Sequence, residues 1–292
     1  MKIVVTGAGG FLGGHIAAEI AKYHEVTGAF HSSRPSGEIK GVKFTGLEVA
    51  DVESVESFFE SERPDAVVHA AAMPRIAACE SDPETARAVN TIAASNISKL
   101  SKKYGAYPVF LSTDMVFDGE SAPYGETDDP GPLSVYGRSK LEAEKYFTAN
   151  GVVLRLALCY GLSLFKGKET FFEKAVDAMA NGEQAVFFND EWRTPLWSDD
   201  LARLMVAIIK TRPAGLIHVG GPERLSRLEM GLRACEILGF DPSVVKSVSR
   251  KDIPGPPRPK DLSFDISKLG SIATGFEFTP FDESVALCFK SL

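Results

Sequence analysis

Cysteine is scarce in this chain. The 292 residues hold four, at 79, 159, 235 and 288, and no two form a CxxC pair. That argues against a disulfide framework or a thiolate zinc site, and for reduced, buried thiols. Histidine is nearly as sparse. None of the five pairs with another at i+4 or lies near a cysteine cluster, so no metal site is expected. No block of Lys and Arg stands out against a net charge of −7, which disfavours a nucleic-acid partner. No apolar run approaches a membrane span. The opening MKIVVTG enters a strand-like run without the apolar core and cleavage site of a signal peptide. The expectation is a cytoplasmic protein with no membrane partner. Internal repeats and low-complexity tracts are also missing.

What is present is an alternation of short β-type runs and helical patterns. KIVVT (2–6), EVTGAF (25–30), VKFTG (42–46), DAVVHAA (65–71), AYPVFLST (106–113) and VVLRL (152–156) read as strands. Helices are expected between them, one opening at Ser81 and Glu84 with a capping box and running to Gly105. Near-continuous apolar strands imply burial on both faces, hence a parallel sheet with helices on either side. The predicted class is α/β: a Rossmann-type doubly wound parallel sheet with a smaller C-terminal substrate lobe. Residues 1–155 are assigned to the dinucleotide-binding core, with 193–221 packing on it. Residues 156–192 and 222–292 are assigned to the lobe, where Ser226 and Glu229 cap a further helix. The Pro-rich stretch 254–265 then turns strand-like.

The first strand runs into a glycine turn, VVTGAGGFLGGHI. GxGxxG fails from Gly7, because Leu12 stands where glycine is needed, but TGxxGxxG fits Thr6, Gly7, Gly10 and Gly13. Such glycines permit a tight turn and let a phosphate approach free N–H groups at a helix start. Its position, after a buried strand and before a helix, favours dinucleotide binding over a bare turn. Gly7, Gly10, Phe11, Leu12 and Gly13 are the expected contacts. NAD-specific sites carry an acid at the end of the second strand. Here that end reads AFHSSR, and His31, Ser32, Ser33 and Arg34 suit a 2′-phosphate. NADP(H) is favoured and NAD(H) stays open, as does a reading of Arg34 as a solvated loop charge. Glu48, followed by Val49, stands where an acid meets the adenine amino group. Asp51 reads as a helix N-cap.

SVYGRSK puts Tyr136 four residues before Lys140, on one helix face. Alone, that spacing fits an ordinary surface turn as well as a proton-transfer pair. Together with the glycine turn and STDMVFDG (112–119), it gives the whole chain a resemblance to the extended short-chain dehydrogenase/reductases. More narrowly, the chain resembles the dTDP-4-dehydrorhamnose reductase family. VVHAAA (67–72), VNTIAASNI (89–97), PYGETDDPGPLSVYGRSKLEAEK (123–145) and RPKDLSFDISKL (258–269) fall where that family has similar blocks.

The resemblance implies catalytic roles for Thr113, Tyr136 and Lys140, with Asn90 as a helper and Ala70, Ala71 and Ala72 lining the cofactor. It leaves His69 as a packed strand-end residue. It also implies that Arg193, in a WRTP stretch, and Arg258, before PKD, meet substrate phosphates, against a plain reading of each as a surface ion pair. Asp114 either bonds a sugar hydroxyl or caps the next turn. An ammonium beside Tyr136 is expected to pull its pKa down toward working pH. Related dehydratases carry Thr-Asp-Glu where this chain has Thr113-Asp114-Met115, so reduction is favoured over elimination. Ala77 and Leu158 depart from the family, which commonly has Asp and an aromatic there, and leave the particular sugar open.

The expected function is NADP(H)-dependent reduction of a nucleotide-linked 4-keto-6-deoxysugar. A homodimer stays open. One alternative is a non-catalytic dinucleotide-binding subunit resembling the methionine adenosyltransferase beta subunit, disfavoured by the absence of a tail after FDESVALCFK. Another is a sugar-nucleotide epimerase.

Overall fold

Seven apolar segments become seven parallel strands in the computed structural model, which describes residues 1–31 and 34–289. Ser32 and Ser33, two of the expected cofactor contacts, lie outside the described residues. The chain begins β1 (Lys2–Thr6), α1 (Phe11–Ile20), β2 (Glu25–Phe30), β3 (Val42–Gly46), α2 (Val52–Glu62), β4 (Ala66–His69), α3 (Ile76–Ser81) and α4 (Pro83–Arg87). A π-helical turn (Ala88–Ile92) leads into α5 (Ala93–Tyr104), β5 (Tyr107–Thr113), α6 (Val135–Glu144) and β6 (Val152–Leu156). Then come β7 (Cys159–Tyr160), α7 (Phe171–Ala180), β8 (Ala185–Phe188), β9 (Trp192–Arg193), β10 (Leu196–Trp197), α8 (Ser198–Thr211) and β11 (Gly215–Val219). The last elements are β12 (Leu225–Ser226), α9 (Arg227–Leu238), β13 (Val245–Val248), α10 (Ser267–Ile272) and α11 (Phe281–Phe289).

The main sheet runs β3-β2-β1-β4-β5-β6-β11. Its order reverses between β1 and β4, the crevice where doubly wound sheets bind ligands. β5 and β6 are buried along their whole length because both faces are covered. On one face, Ile16, Ile20, Leu201, Met205 and Ile208 of α1 and α8 pack on Val5, Val109 and Leu154. On the other, Phe58, Phe59, Ile97, Ala143 and Phe147 pack on Val67, Phe110 and Val153. Residues 215–219 form the edge strand beside β6, with Gly215 opposite Val152. A second apolar cluster gathers α7, α9, α11 and the β8–β13 pair around Phe172, Phe187, Met230 and Phe281.

Three local expectations need correction. The helix expected from Ser81 is capped by Asp82, which accepts from the Thr85 N–H, while the Ser81 hydroxyl donates to Ala78 O. Asp82 displaces Ser81 as cap because Ser81 already ends α3, a helix that the sequence pattern did not reveal. The strand-like stretch after the prolines is not a ladder. It makes isolated bridges, Trp192 with Asp261 and Tyr124 with Phe264, in a segment where Pro254, Pro256, Pro257 and Pro259 lack N–H donors. The sequence pattern carries the helix through Tyr136 to about Thr148, but α6 ends at Glu144. Asp51 caps α2 as expected, and Ser226 with Glu229 forms a capping box on α9.

One ion pair is sealed between α6 and the sheet. Glu144 and Arg155 are both buried. Arg155 donates from Nε to Glu144 Oε1 at 3.0 Å and from Nη2 to Oε2 at 2.8 Å, and the Ser112 hydroxyl donates to Oε1 at 2.5 Å. Arg155 Nη1 also lies 3.4 Å from His218 Nε2, and the guanidinium sits 5.0 Å over the Phe117 ring. Removing one partner strands a buried charge, which costs about 3–5 kcal/mol. Arg155→Met is therefore expected to lower the urea midpoint sharply. Glu144→Leu combined with Arg155→Met is expected to recover at least half of the loss in the same measurement.

Candidate active site

At the C-terminal ends of β1 and β4 lies a cleft of about 770 Å³. Backbone packing shapes its floor. Gly7 has φ +69°, and a Cβ there would meet Ala71 N at 2.7 Å; a Cβ on Gly13 would meet Gly7 O at 2.2 Å. Only glycine lets the turn, β4 and α1 come this close. Gly10 caps α1 without a side-chain hydrogen bond, and the first turn holds no acid, so free N–H groups point at the cleft. Thr6 ties the two strand ends together: its hydroxyl accepts from the Ala71 N–H at 3.2 Å and lies 2.8 Å from His69 Nδ1.

Most of the expected cofactor contacts converge here. Gly7, Gly10, Phe11, Leu12, Gly13, His31, Glu48, Val49, Ala70, Ala71, Ala72, Tyr136 and Lys140 all line the cleft. His31 Nε2 lies 2.5 Å from Glu48 Oε2 at the exposed rim of the cleft. Arg34 does not line it, but sits on a separate hollow with Glu38, Lys40 and Phe44. Asn90 is also outside the lining. Its side chain accepts from Met73 N and donates to Met73 O and to Ser139 Oγ, pinning α6 to the loop after β4. Lys168, on the loop before α7, lines the cleft and was not foreseen, because one lysine among loop charges carries no spacing signal.

Tyr136 and Lys140 share one face of α6, which Ser134 caps by accepting from the Gly137 N–H. Lys140 is 2% exposed, and its Nζ lies 4.0 Å over the Phe110 ring. Burial drives its pKa down to about 7, against Glu144 one turn on, which raises it. The expected depression of the Tyr136 pKa is not found. Burial raises it, and Asp114 raises it further; Thr113 acts in the opposite direction. An ammonium that leans on Phe110 and is half discharged by burial exerts too little pull on the phenol. Tyr136 is therefore protonated at neutral pH. His69 is fully buried, stacked near Phe110 and Phe147, and pushed down to about 3 by burial and then by Lys140, so it stays neutral.

Beyond the phenol, the residues expected to meet substrate form a chain. Thr113 caps the 3-10 turn at 114–116 through the Met115 N–H, so the capping role considered for Asp114 belongs to its neighbour. The Thr113 hydroxyl lies 3.2 Å from Asp114 Oδ1. Asp114 is buried; its Oδ2 has no hydrogen-bond partner and lies 3.4 Å from Arg193 Nε. Burial holds the Asp114 pKa above the carboxylate norm, while Arg193 pulls it down. Buried Glu191, also unforeseen, lies 3.8 Å from Arg193 Nη2 and 3.6 Å from Arg258 Nη1. It immediately precedes β9, and its backbone carbonyl accepts from the Arg227 N–H at 2.9 Å. Among the described residues no cluster of His, Cys, Asp and Glu is suited to a metal, and no helix is long and apolar enough to cross a membrane.

The sheet order, the glycine turn and the Tyr136–Lys140 helix define an extended short-chain dehydrogenase/reductase fold. The family model described as RmlD substrate binding domain matches residues 1–292, and the chain belongs to that family. It is 31% identical to the methionine adenosyltransferase 2 subunit beta of Rattus norvegicus, over 96% of this chain and 84% of the relative. It is 29% identical to the probable low-salt glycan biosynthesis reductase Agl14 of Haloferax volcanii, over 92% and 91%. The crystal structure of a hypothetical dTDP-4-dehydrorhamnose reductase from Sulfolobus tokodaii superposes with a TM-score of 0.84 at 31% identity, over 97% and 99%.

Lys140 is held at a cost to the fold. An unfolded lysine titrates near 10.5 and this one near 7, so folding gives up a proton between those values. The penalty is absent above pH 10.5, grows as pH falls, and is full at pH 7 and below. Lys140→Met is expected to raise the melting temperature by a few degrees at pH 7, with the gain shrinking toward pH 10. Calorimetry across that range checks it.

Proposed function

We propose that this chain is an NADP(H)-dependent reductase of a nucleotide-linked 4-keto-6-deoxysugar. The observation that carries the reading is Tyr136: a phenol kept protonated, beside Thr113, where the dinucleotide-sized cleft meets the Asp114–Arg193 chain. The glycine cradle at Gly7 and Gly13 fits a pyrophosphate, since any Cβ there would fill the space. When bound, the reduced dinucleotide supplies hydride to a keto carbon. Tyr136 gives its proton to the alkoxide that forms, Thr113 holds the same oxygen, and Lys140 holds the nicotinamide ribose and returns positive charge to the phenolate. Asp114 takes a sugar hydroxyl with its unpartnered Oδ2, and Arg193 and Arg258 meet the phosphates. Residues 1–155 with 193–221 form the cofactor core in this reading, and the rest closes over the sugar.

Likeness to the methionine adenosyltransferase beta subunit along 96% of the chain favours a second reading, a dinucleotide-binding subunit without turnover. The test is a panel of nucleotide 4-keto sugars with NADPH and NADH, followed at the nicotinamide absorbance. Oxidation of NADPH with one sugar nucleotide is expected. Tyr136→Phe is expected to lower kcat by about 10²–10⁴-fold while leaving NADPH binding intact. Retained NADPH binding with no turnover anywhere in the panel would move the assignment to the subunit.

Cofactor preference has its own test. His31 occupies the strand end where NAD-specific proteins carry an acid. His31→Asp repels a 2′-phosphate and accepts ribose hydroxyls, so the ratio of NADPH to NADH affinity is expected to fall at least about tenfold. Equilibrium titration with both cofactors measures it.

A further inference from the structure

Arg227 stands at a helix end that disfavours a cation. It is the first residue of α9, at the positive end of the helix dipole. Its guanidinium carbon lies 3.5 Å over the Phe171 ring, which fixes its direction. Its Nε is shielded from solvent and has no hydrogen-bond partner. Burial holds its pKa below the usual guanidinium range; Glu191 raises it, and Arg193 and Arg258 lower it. Among the described residues Arg227 makes no ion pair. The acid whose charge it feels, Glu191, is already shared by Arg193 at 3.8 Å and Arg258 at 3.6 Å.

The three guanidiniums are also short of acceptors. Both contacts to Glu191 are longer than the 2.7–2.9 Å of a charge-assisted hydrogen bond. Among the described residues, the one side-chain hydrogen bond they make is from Arg193 Nη1 to Trp192 O, at 2.7 Å. Counting buried Glu191 and Asp114 against buried Arg193 and the partly exposed Arg227 and Arg258 leaves a surplus of positive charge. Arg227 reaches it from a different element than the other two, with its backbone N–H bonded to Glu191 O at 2.9 Å. An arginine whose Nε is buried and unpartnered, stacked on an aromatic ring and without an ion pair, has the geometry of an anion ligand.

We propose that Arg227 is a third cationic arm of the substrate phosphate subsite, and that this arm selects a nucleoside diphosphate over a monophosphate. The proposal rests on the nucleotide-sugar reading above and deepens it. Two guanidiniums flanking Glu191 suffice for one phosphate. A third, arriving from α9, supplies donors for the second, and the extra anionic charge of the diphosphate matches the surplus.

Calorimetric titration tests it, with dTDP, UDP, dTMP and NADPH as probes and the full chain as wild type, Arg227→Met and Arg227→Lys. Arg227→Met is expected to weaken dTDP and UDP by about 10- to 100-fold. The same change should weaken dTMP less than about threefold and leave NADPH unchanged, and Arg227→Lys should fall in between. The ligand-free Met variant should melt at or above the wild-type temperature at low salt, because a cation leaves the helix N-terminus. Diphosphate affinity within twofold of wild type would overturn the proposal and leave the reductase reading standing. A fall in melting temperature together with weaker NADPH binding would assign Arg227 to the fold and overturn it as well. Failure of the wild type to bind either nucleoside diphosphate, with NADPH still bound, would overturn both the proposal and the nucleotide-sugar reading.

Discussion

The burial of one carboxylate, Glu144, sets the geometry on which the site depends. Positions 136, 140 and 144 lie four apart on α6 and so share a face. Whatever fixes the rotation of that helix fixes all three. Glu144 does so by accepting from Arg155 on β6 and Ser112 on β5, two adjacent strands of the sheet. With the carboxylate anchored, Lys140 lands on the Phe110 ring and Tyr136 beside Thr113. A helix held only by apolar contacts could roll by part of a turn at little cost; a bidentate ion pair with 3.0 and 2.8 Å contacts cannot. The same carboxylate has an electrostatic task. It is the group that raises the Lys140 pKa against burial. Without it burial alone would push the Lys140 pKa lower still.

Charge therefore reaches the reactive phenol from two sides with opposite effects. On the fold side, Glu144 keeps Lys140 partly protonated, poised to stabilise a phenolate once it forms. On the substrate side, Asp114 keeps the phenol from ionising early. Burial raises the pKa of Asp114 itself, and Arg193 opposes that shift. A proton donor needs this order: protonated at rest, and more acidic only as charge develops on the acceptor. Lowering the resting pKa of Tyr136 toward 7, the simpler expectation, would leave much of the protein already deprotonated before reduction.

The fold was legible because its signals are local. Apolar runs such as KIVVT and VVLRL are short, repeated and punctuated, and the glycine turn sits at a fixed place between strand and helix. Site features resting on i to i+4 spacing were legible for the same reason, Tyr136 with Lys140 above all. Those that depend on distant partners were not. Glu144 looks like one acid among several in KLEAEK, and it is buried only because Arg155 waits eleven residues on; an arginine inside a five-residue apolar strand was the available clue. Glu191 is buried beside Arg193 and Arg258, the latter far along the chain, which no local pattern encodes. Asp82 takes the cap from Ser81 because an unforeseen helix, α3, ends there. Arg34 follows β2 closely along the chain, yet it lines a separate hollow, while His31 lines the cleft.

The substrate end of the site bears on the two readings more than the Tyr136–Lys140 pair does. A subunit that only binds a dinucleotide needs the glycine cradle, the alanines of the β4 end and Lys140 for the ribose. It has no use for a buried aspartate with a bare oxygen, or for guanidiniums crowded on a single glutamate. Such groups lower stability unless something compensates them, and random drift replaces them readily, because apolar substitutes of similar size are often neutral or better. Their presence in one contiguous chain, from Thr113 through Asp114 and Arg193 to Glu191, is hard to account for without an anionic, hydroxyl-bearing ligand lying along it. The cofactor end of the cleft thus says what the fold can hold. The charge-frustrated end supports the substrate reading proposed above by an argument independent of the phenol.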